Sequence, residues 1–258
     1  MATTAQTSPL DDGRATMKHR ALAQRCRDWK PGLLPALYLV GWAIFLLAVF
    51  IGIGLLVTKL GAHDAIGRAD PATERWFARE RAPELNKVTH YTTDLGETIT
   101  VTAVGALLAI ASRLLWRRWR ESILVVVALA GEVLIFVSVT SLIDRHRPSV
   151  SHLDPAPPTS SFPSGHTAAS VVLYLLIALL LVSRLQSGAI RKLLWIVALA
   201  IPVAVGLSRL YRGMHYPTDV LSGAALGAVW LLVAVKGVRL GALQRDLQPQ
   251  PTTNGRKA

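Results

Sequence analysis

The stretch Leu193–Val238, LLWIVALAIPVAVGLSRLYRGMHYPTDVLSGAALGAVWLLVAVKGV, consists of two apolar runs joined by a short polar junction. A helix needs roughly 20 mainly apolar residues to cross the hydrocarbon core of a bilayer, where every backbone amide must be paired inside the segment. Both runs approach that length. The junction between them, Gly206 to Asp219, nonetheless carries Arg209, Arg212, His215 and Asp219. Ionisable groups are expensive at a membrane and mark functional sites.

Working outward, four further runs have the same character, so the six expected spans are Leu33–Val57, Ile99–Leu115, Ile123–Ile143, Thr167–Ser183, Leu193–Leu207 and Val220–Val238. A content of 52% hydrophobic and 17% charged residues is too apolar for an ordinary soluble protein. The expected fold is all-α, a polytopic membrane protein with six transmembrane helices. Residues 1–30 read as a polar cytoplasmic lead-in, 31–240 as the membrane domain and 241–258 as a disordered tail. No small-residue cleavage site follows the first run, which reads as a retained helix and not a signal peptide.

Cys26 is the only cysteine, which excludes an intramolecular disulfide and a metal site built on several thiolates. The net charge of +12 has no accompanying basic-aromatic nucleic-acid motif, so it reads as cytoplasmic loops facing anionic lipid, with no nucleic acid as partner. Lys and Arg are unequally divided: the amino terminus, the second and fourth connections and the tail hold 18 of the 28. By the positive-inside rule both termini are then cytoplasmic, and the junction at 206–219 faces outward.

The connection Lys59–Glu97 mixes apolar residues with charges, and Asp70 as cap with Pro71 as first residue would open an amphipathic surface helix there. Residues 147–166 hold five prolines and read as an irregular outer loop.

With six spans, segments three and five end on the face where segments four and six begin. That brings together Arg147, the Pro163-Ser164-Gly165-His166 tetrapeptide, Ser208-Arg209, His215 and Asp219. Ser164 can cap a helix and Gly165 can let backbone approach a ligand, which suits phosphate at a positive helix end. Arg147 and Arg209 are forks matched to phosphate oxygens. Asp219, in the opening turn after Pro217, can fix one ring nitrogen of His215 and leave the other free to attack phosphorus. His166 can protonate the leaving oxygen. Phosphoryl transfer through a phosphohistidine needs these parts and no metal or other cofactor.

These residues resemble the type 2 phosphatidic acid phosphatase superfamily, whose pattern is KxxxxxxRP, PSGH and SRxxxxxHxxxD. The second element is Pro163 to His166, and the third is Ser208-Arg209 with His215 and Asp219. The first matches at Arg147-Pro148, but Thr140 stands where the family has lysine. Arg145 or Arg212 could compensate for it. The signature spans about 140–219. The resemblance implies His215 as nucleophile, Asp219 as its orienter and His166 as general acid, with Arg147, Arg209, Ser164 and Gly165 holding phosphate.

The expected function is a cell-membrane lipid phosphatase that removes the terminal phosphate of a lipid phosphate or diphosphate from the bilayer. Polyprenyl diphosphate comes first among substrates, ahead of phosphatidic acid and phosphatidylglycerophosphate. A phosphotransferase using the same site is an alternative. Glu132, near the middle of segment three, keeps open a transporter in which charges line a pathway.

Overall fold

The computed structural model of the protein describes residues 32–59 and 65–246. Cys26, the lead-in at 1–30 and the tail from 247 lie outside the described residues. Eight helices are present and no strands among the described residues: α1 (Leu33–Lys59), α2 (Ala65–Arg79), α3 (Pro83–Asp94), α4 (Thr98–Trp116), α5 (Trp119–Leu142), α6 (Gly165–Val182), α7 (Gly188–Tyr211) and α8 (Pro217–Asp246). Six of these, all but α2 and α3, are long and apolar enough to cross a membrane. They are the six expected spans.

The observed helices outrun the apolar runs at several ends. Helix α6 starts at Gly165, α7 continues to Tyr211 and α8 extends from Pro217 to Asp246, past the boundary drawn at 240. The physical reason is that helix formation tolerates polar residues, while apolarity marks only the stretch at hydrocarbon depth. The consequence is that His166 and Arg209 stand on helix and not in loop.

Helix α6 is the hub, packed against α4, α5, α7 and α8. Leu124, Val125 and Ala128 of α5 meet Val172, Leu176 and Leu180 of α6 and Leu231, Ala234 and Val235 of α8 in one buried cluster. A second cluster joins Leu46 and Phe50 of α1, Ile135 and Val139 of α5, Leu226 and Trp230 of α8, and Phe162 from the loop. Large apolar side chains also point outward, among them Ile44, Leu107, Leu134, Val203 and Leu232. An apolar outer surface of this kind fits lipid as solvent, since hydrocarbon does not penalise it.

The long connection forms α2 and α3, and α2 packs on α7 and α8 while α3 packs on α7. The amphipathic helix expected there is present, but it starts at Ala65, with Pro71 inside it. Asp70 is therefore no cap. Its carboxylate is buried and bound to Arg145 and Thr218, which offer stronger, charge-assisted partners than free helix amides. Residues 143–164 contain no regular element, as the prolines require.

Candidate active site

One end of the bundle brings together the last turn of α7, the first turns of α6 and α8, and the loop after α5. The contact between α6 and α8 is close: the Ser164 amide donates to the Asp219 carbonyl at 3.0 Å. A Cβ on Gly223 would stand 2.3 Å from the Ser164 carbonyl, so only glycine lets α8 approach there.

His215 precedes α8 and is buried. Its Nδ1 lies 2.8 Å from the Ser161 carbonyl oxygen and 3.8 Å from Asp219 Oδ2. A carbonyl only accepts, so Nδ1 carries the proton and Nε2 keeps its lone pair. The expectation that Asp219 fixes the tautomer by a hydrogen bond is thus corrected. The Ser161 carbonyl does so, and Asp219 acts on the ring as a neighbouring charge. Asp219 is held in place by other partners: Oδ2 accepts from the Tyr216 amide at 2.9 Å, while Oδ1 accepts from Arg145. Burial holds the His215 imidazole below its ordinary pKa, with Asp219 opposing the effect and Arg209 and Arg147 reinforcing it. The shift favours the neutral imidazole, with its Nε2 lone pair available.

His166, in the first turn of α6, has Arg209, His215, Asp154 and Arg147 as its charged neighbours. Arg147 donates from Nη1 to the Met214 carbonyl at 2.9 Å, one residue from His215, and its Nε is buried without a partner. Arg209 donates from Nη1 to Asp154 Oδ2 at 3.0 Å, and its Nε is likewise buried and unpaired. Two guanidinium groups with spare donors, two imidazoles and a helix start cluster here, a donor set suited to a tetrahedral oxyanion.

Ser164 occupies the N-cap position of α6, yet its hydroxyl makes no capping bond and instead pairs with Thr167 Oγ1 at 3.0 Å. Gly165 faces protein: a Cβ there would meet the Phe136 ring at 2.7 Å. Any larger residue there would have to displace the Phe136 ring. All seven residues expected at the site, His215, His166, Asp219, Arg147, Arg209, Ser164 and Gly165, converge at this end of the bundle.

Thr140, in place of the family lysine, donates to the Phe162 carbonyl at 3.1 Å. Neither arginine offered as compensation is free to replace the lysine. Arg212 grips Asp154 with Nε and Nη2 and also donates to the carbonyls of Asn86 and Leu153. Arg145 is held by Asp70, Thr218 and Asp219. Asp154 and Ser161 escaped the sequence analysis, and Asp70 was given a cap's role there, because their partners lie far along the chain. Glu132 is buried in α5 with Oε1 unpaired, eight residues or about 12 Å along the helix from Thr140.

Residues 121–240 match the family model described as the PAP2 superfamily. Phosphatidylglycerophosphatase B of Bacillus subtilis (strain 168) is 32% identical over 184 residues, or 70% of this chain and 89% of that protein. An undecaprenyl-diphosphatase of Sulfolobus acidocaldarius is 39% identical over 79 residues, or 31% of this chain and 34% of that protein. Among solved structures, a transmembrane PAP2 type phosphatidylglycerolphosphate phosphatase from Bacillus subtilis has a TM-score of 0.66 at 27% identity, covering 74% of this chain and 93% of that one. Aquifex aeolicus LpxE shares the fold, with a TM-score of 0.51 at 23% identity over 63% of this chain and 92% of that one. Similarity along most of both chains, with six apolar helices, establishes that the protein belongs to the PAP2 superfamily, among its membrane lipid phosphatases.

Proposed function

We propose that the protein hydrolyses the phosphomonoester of a glycerophospholipid, with phosphatidylglycerophosphate ahead of polyprenyl diphosphate. The observation that carries this reading is the pair of arginine forks, Arg147 and Arg209, set around a buried neutral His215. Thr140 stands in place of a third cation and Asp154 already shares Arg209, which leaves two arginine forks to hold the phosphoryl group being cut. The relative similar along most of its length is named a phosphatidylglycerophosphatase, whereas the diphosphatase matches over 79 residues.

In this reading Nε2 of His215 attacks phosphorus. A P–N bond forms, the P–O bond to the lipid alcohol breaks, and His166 protonates the departing oxygen. Water then attacks the phosphohistidine, with His166 taking its proton, and inorganic phosphate leaves. Arg147 and Arg209 balance the charge on the transferring group. The excess of basic residues in the termini and alternate connections supports a site on the outer face with both termini inside.

The test is phosphate release by detergent-solubilised protein from phosphatidylglycerophosphate, phosphatidic acid and undecaprenyl diphosphate. The expected result is a preference for the monoesters and an acid-labile labelled phosphoenzyme that His215→Ala lacks. Faster turnover of the diphosphate overturns the substrate assignment, and full activity in His215→Ala overturns the mechanism. A labelled product on an added alcohol in place of free phosphate would identify a phosphotransferase.

A further inference from the structure

Arg145 lies two residues before Arg147, yet its side chain is taken up by acidic and hydroxyl partners. Nη2 donates to Asp70 Oδ2 at 2.7 Å, and Nη1 donates to Thr218 Oγ1 at 2.8 Å and to Asp219 Oδ1. The flat guanidinium also lies over the Tyr216 ring, 4.5 Å from its centroid. Asp70 is held in turn by the amide and hydroxyl of Thr218. Arg145, Asp70 and Asp219 are all nearly inaccessible to solvent.

This arrangement ties α2, which lies outside the six spans, to the first turn of α8. It also leaves Arg145 compensated by two carboxylates before any substrate arrives. A phosphate would have to draw the guanidinium off both of them, so the geometry speaks against Arg145 as a substitute for the missing lysine. What Arg145 does reach is Asp219, the charge that faces Nδ1 of His215.

We propose that Arg145 and Asp70 are positioning residues for the Asp219 carboxylate, acting through its charge on the protonation of the His215 imidazole. The proposal rests on the reading of His215 as nucleophile. The groups facing His215 are Asp219 from α8, Arg209 from α7, His166 from α6 and Arg147 from the loop. Around Asp219 and Tyr216 stand Arg145 from the loop and Asp70 and Glu74 from α2.

The signs follow from this charge map. Without Arg145 the Asp219 carboxylate is less neutralised and favours the imidazolium more, so the neutral nucleophile appears only at higher pH. Without the charge of Asp70, Arg145 neutralises Asp219 more fully and the effect reverses. A residue that served only folding would change the amount of active enzyme and leave the pH dependence where it was.

The experiment measures kcat and KM from pH 4.5 to 9 on phosphatidic acid in detergent micelles, for the full chain and for Arg145→Gln, Arg145→Lys, Asp70→Asn and His215→Ala. Arg145→Gln is expected to lower kcat roughly ten- to a hundredfold with KM nearly unchanged. The acid limb of its kcat/KM profile moves up by about one unit. Arg145→Lys restores part of that shift, and Asp70→Asn moves the limb down. A raised KM with kcat and limb unchanged overturns the proposal, because Arg145 would then bind substrate. Limbs that coincide with the parent's in both variants overturn it as well. Should Arg145→Gln fail to fold, the downward shift in Asp70→Asn decides alone, and its absence is fatal. Activity retained in His215→Ala would instead remove the underlying mechanism, which separates the two failures.

Discussion

Arg212 grips Asp154 as a two-pronged fork, Nε to Oδ2 at 2.7 Å and Nη2 to Oδ1 at 2.5 Å. The pair binds the irregular loop to the end of α7, and further bonds from Arg212 to Asn86 and Thr89 bring in α3. Asp154 also accepts from Arg209, so one carboxylate holds both the loop and the Arg209 guanidinium. Burial acts to raise its pKa, but the Arg212 hydrogen bond and the charges of Arg209 and Arg212 outweigh that and hold it below the ordinary value.

Arg212→Ala should therefore destabilise the protein by about 1.5–3 kcal/mol, the usual range for hydrogen bonds to charged groups. It should also open residues 148–164 to protease. Arg212→Lys should recover little, because an ammonium cannot reproduce the planar fork. Thermal midpoints in detergent and limited proteolysis check both statements. An unchanged midpoint in the alanine variant would refute the tethering role.

His215 should give a kcat/KM profile whose acid limb lies below 6.5, the ordinary imidazole value, because burial lowers its pKa. Activity on a lipid phosphate is then level through neutral pH. A limb at or above 6.5 would show that the Asp219 charge prevails over burial.

Glu74 of α2 is buried with neither carboxylate oxygen bonded, and burial first, then the charges of Asp219 and Asp70, push its pKa up to about 8. The folded protein thus holds this proton more tightly than the unfolded chain does. The resulting stability is complete below about 4.5, the ordinary value, and is lost as pH rises through 8. The thermal midpoint should fall over that window, and Glu74→Gln should flatten the fall. Parallel curves for parent and variant would contradict the assignment.

Thr140→Lys should bring a cation to the position where the family has one and lower KM for a lipid phosphate severalfold. Its loss of the bond to the Phe162 carbonyl should remove about 1 kcal/mol of stability. A KM unchanged in a folded variant would mean that this position does not face the phosphate.

Much of the fold and most of the candidate site were legible along the chain. Six apolar runs are local features, and parity alone assigns Arg147, His166, Arg209 and His215 to one end of the bundle. Their convergence needed no knowledge of side-chain geometry. The partners were another matter. Asp219 looked like the hydrogen-bond orienter of His215 because it lies four residues away on a helix start. The Ser161 carbonyl takes that place at 2.8 Å, while Arg145 and the Tyr216 amide hold the carboxylate 3.8 Å from the ring nitrogen. Asp70 looked like a cap beside Pro71, and it is a buried ion-pair partner across 75 residues of chain.

By itself the sequence determined the number of spans, their order and the end of the bundle where the ionisable groups meet, because hydrophobic length and alternation of sides depend on nothing beyond the chain. Only the tertiary structure decided which oxygen each nitrogen meets. Arg145, Arg209 and Arg212 are equal as residue types, yet buried charge favours paired arrangements, so their partners are the carboxylates that packing sets beside them. Packing gave Asp154 to Arg209 and Arg212, and it gave Asp70 and Asp219 to Arg145.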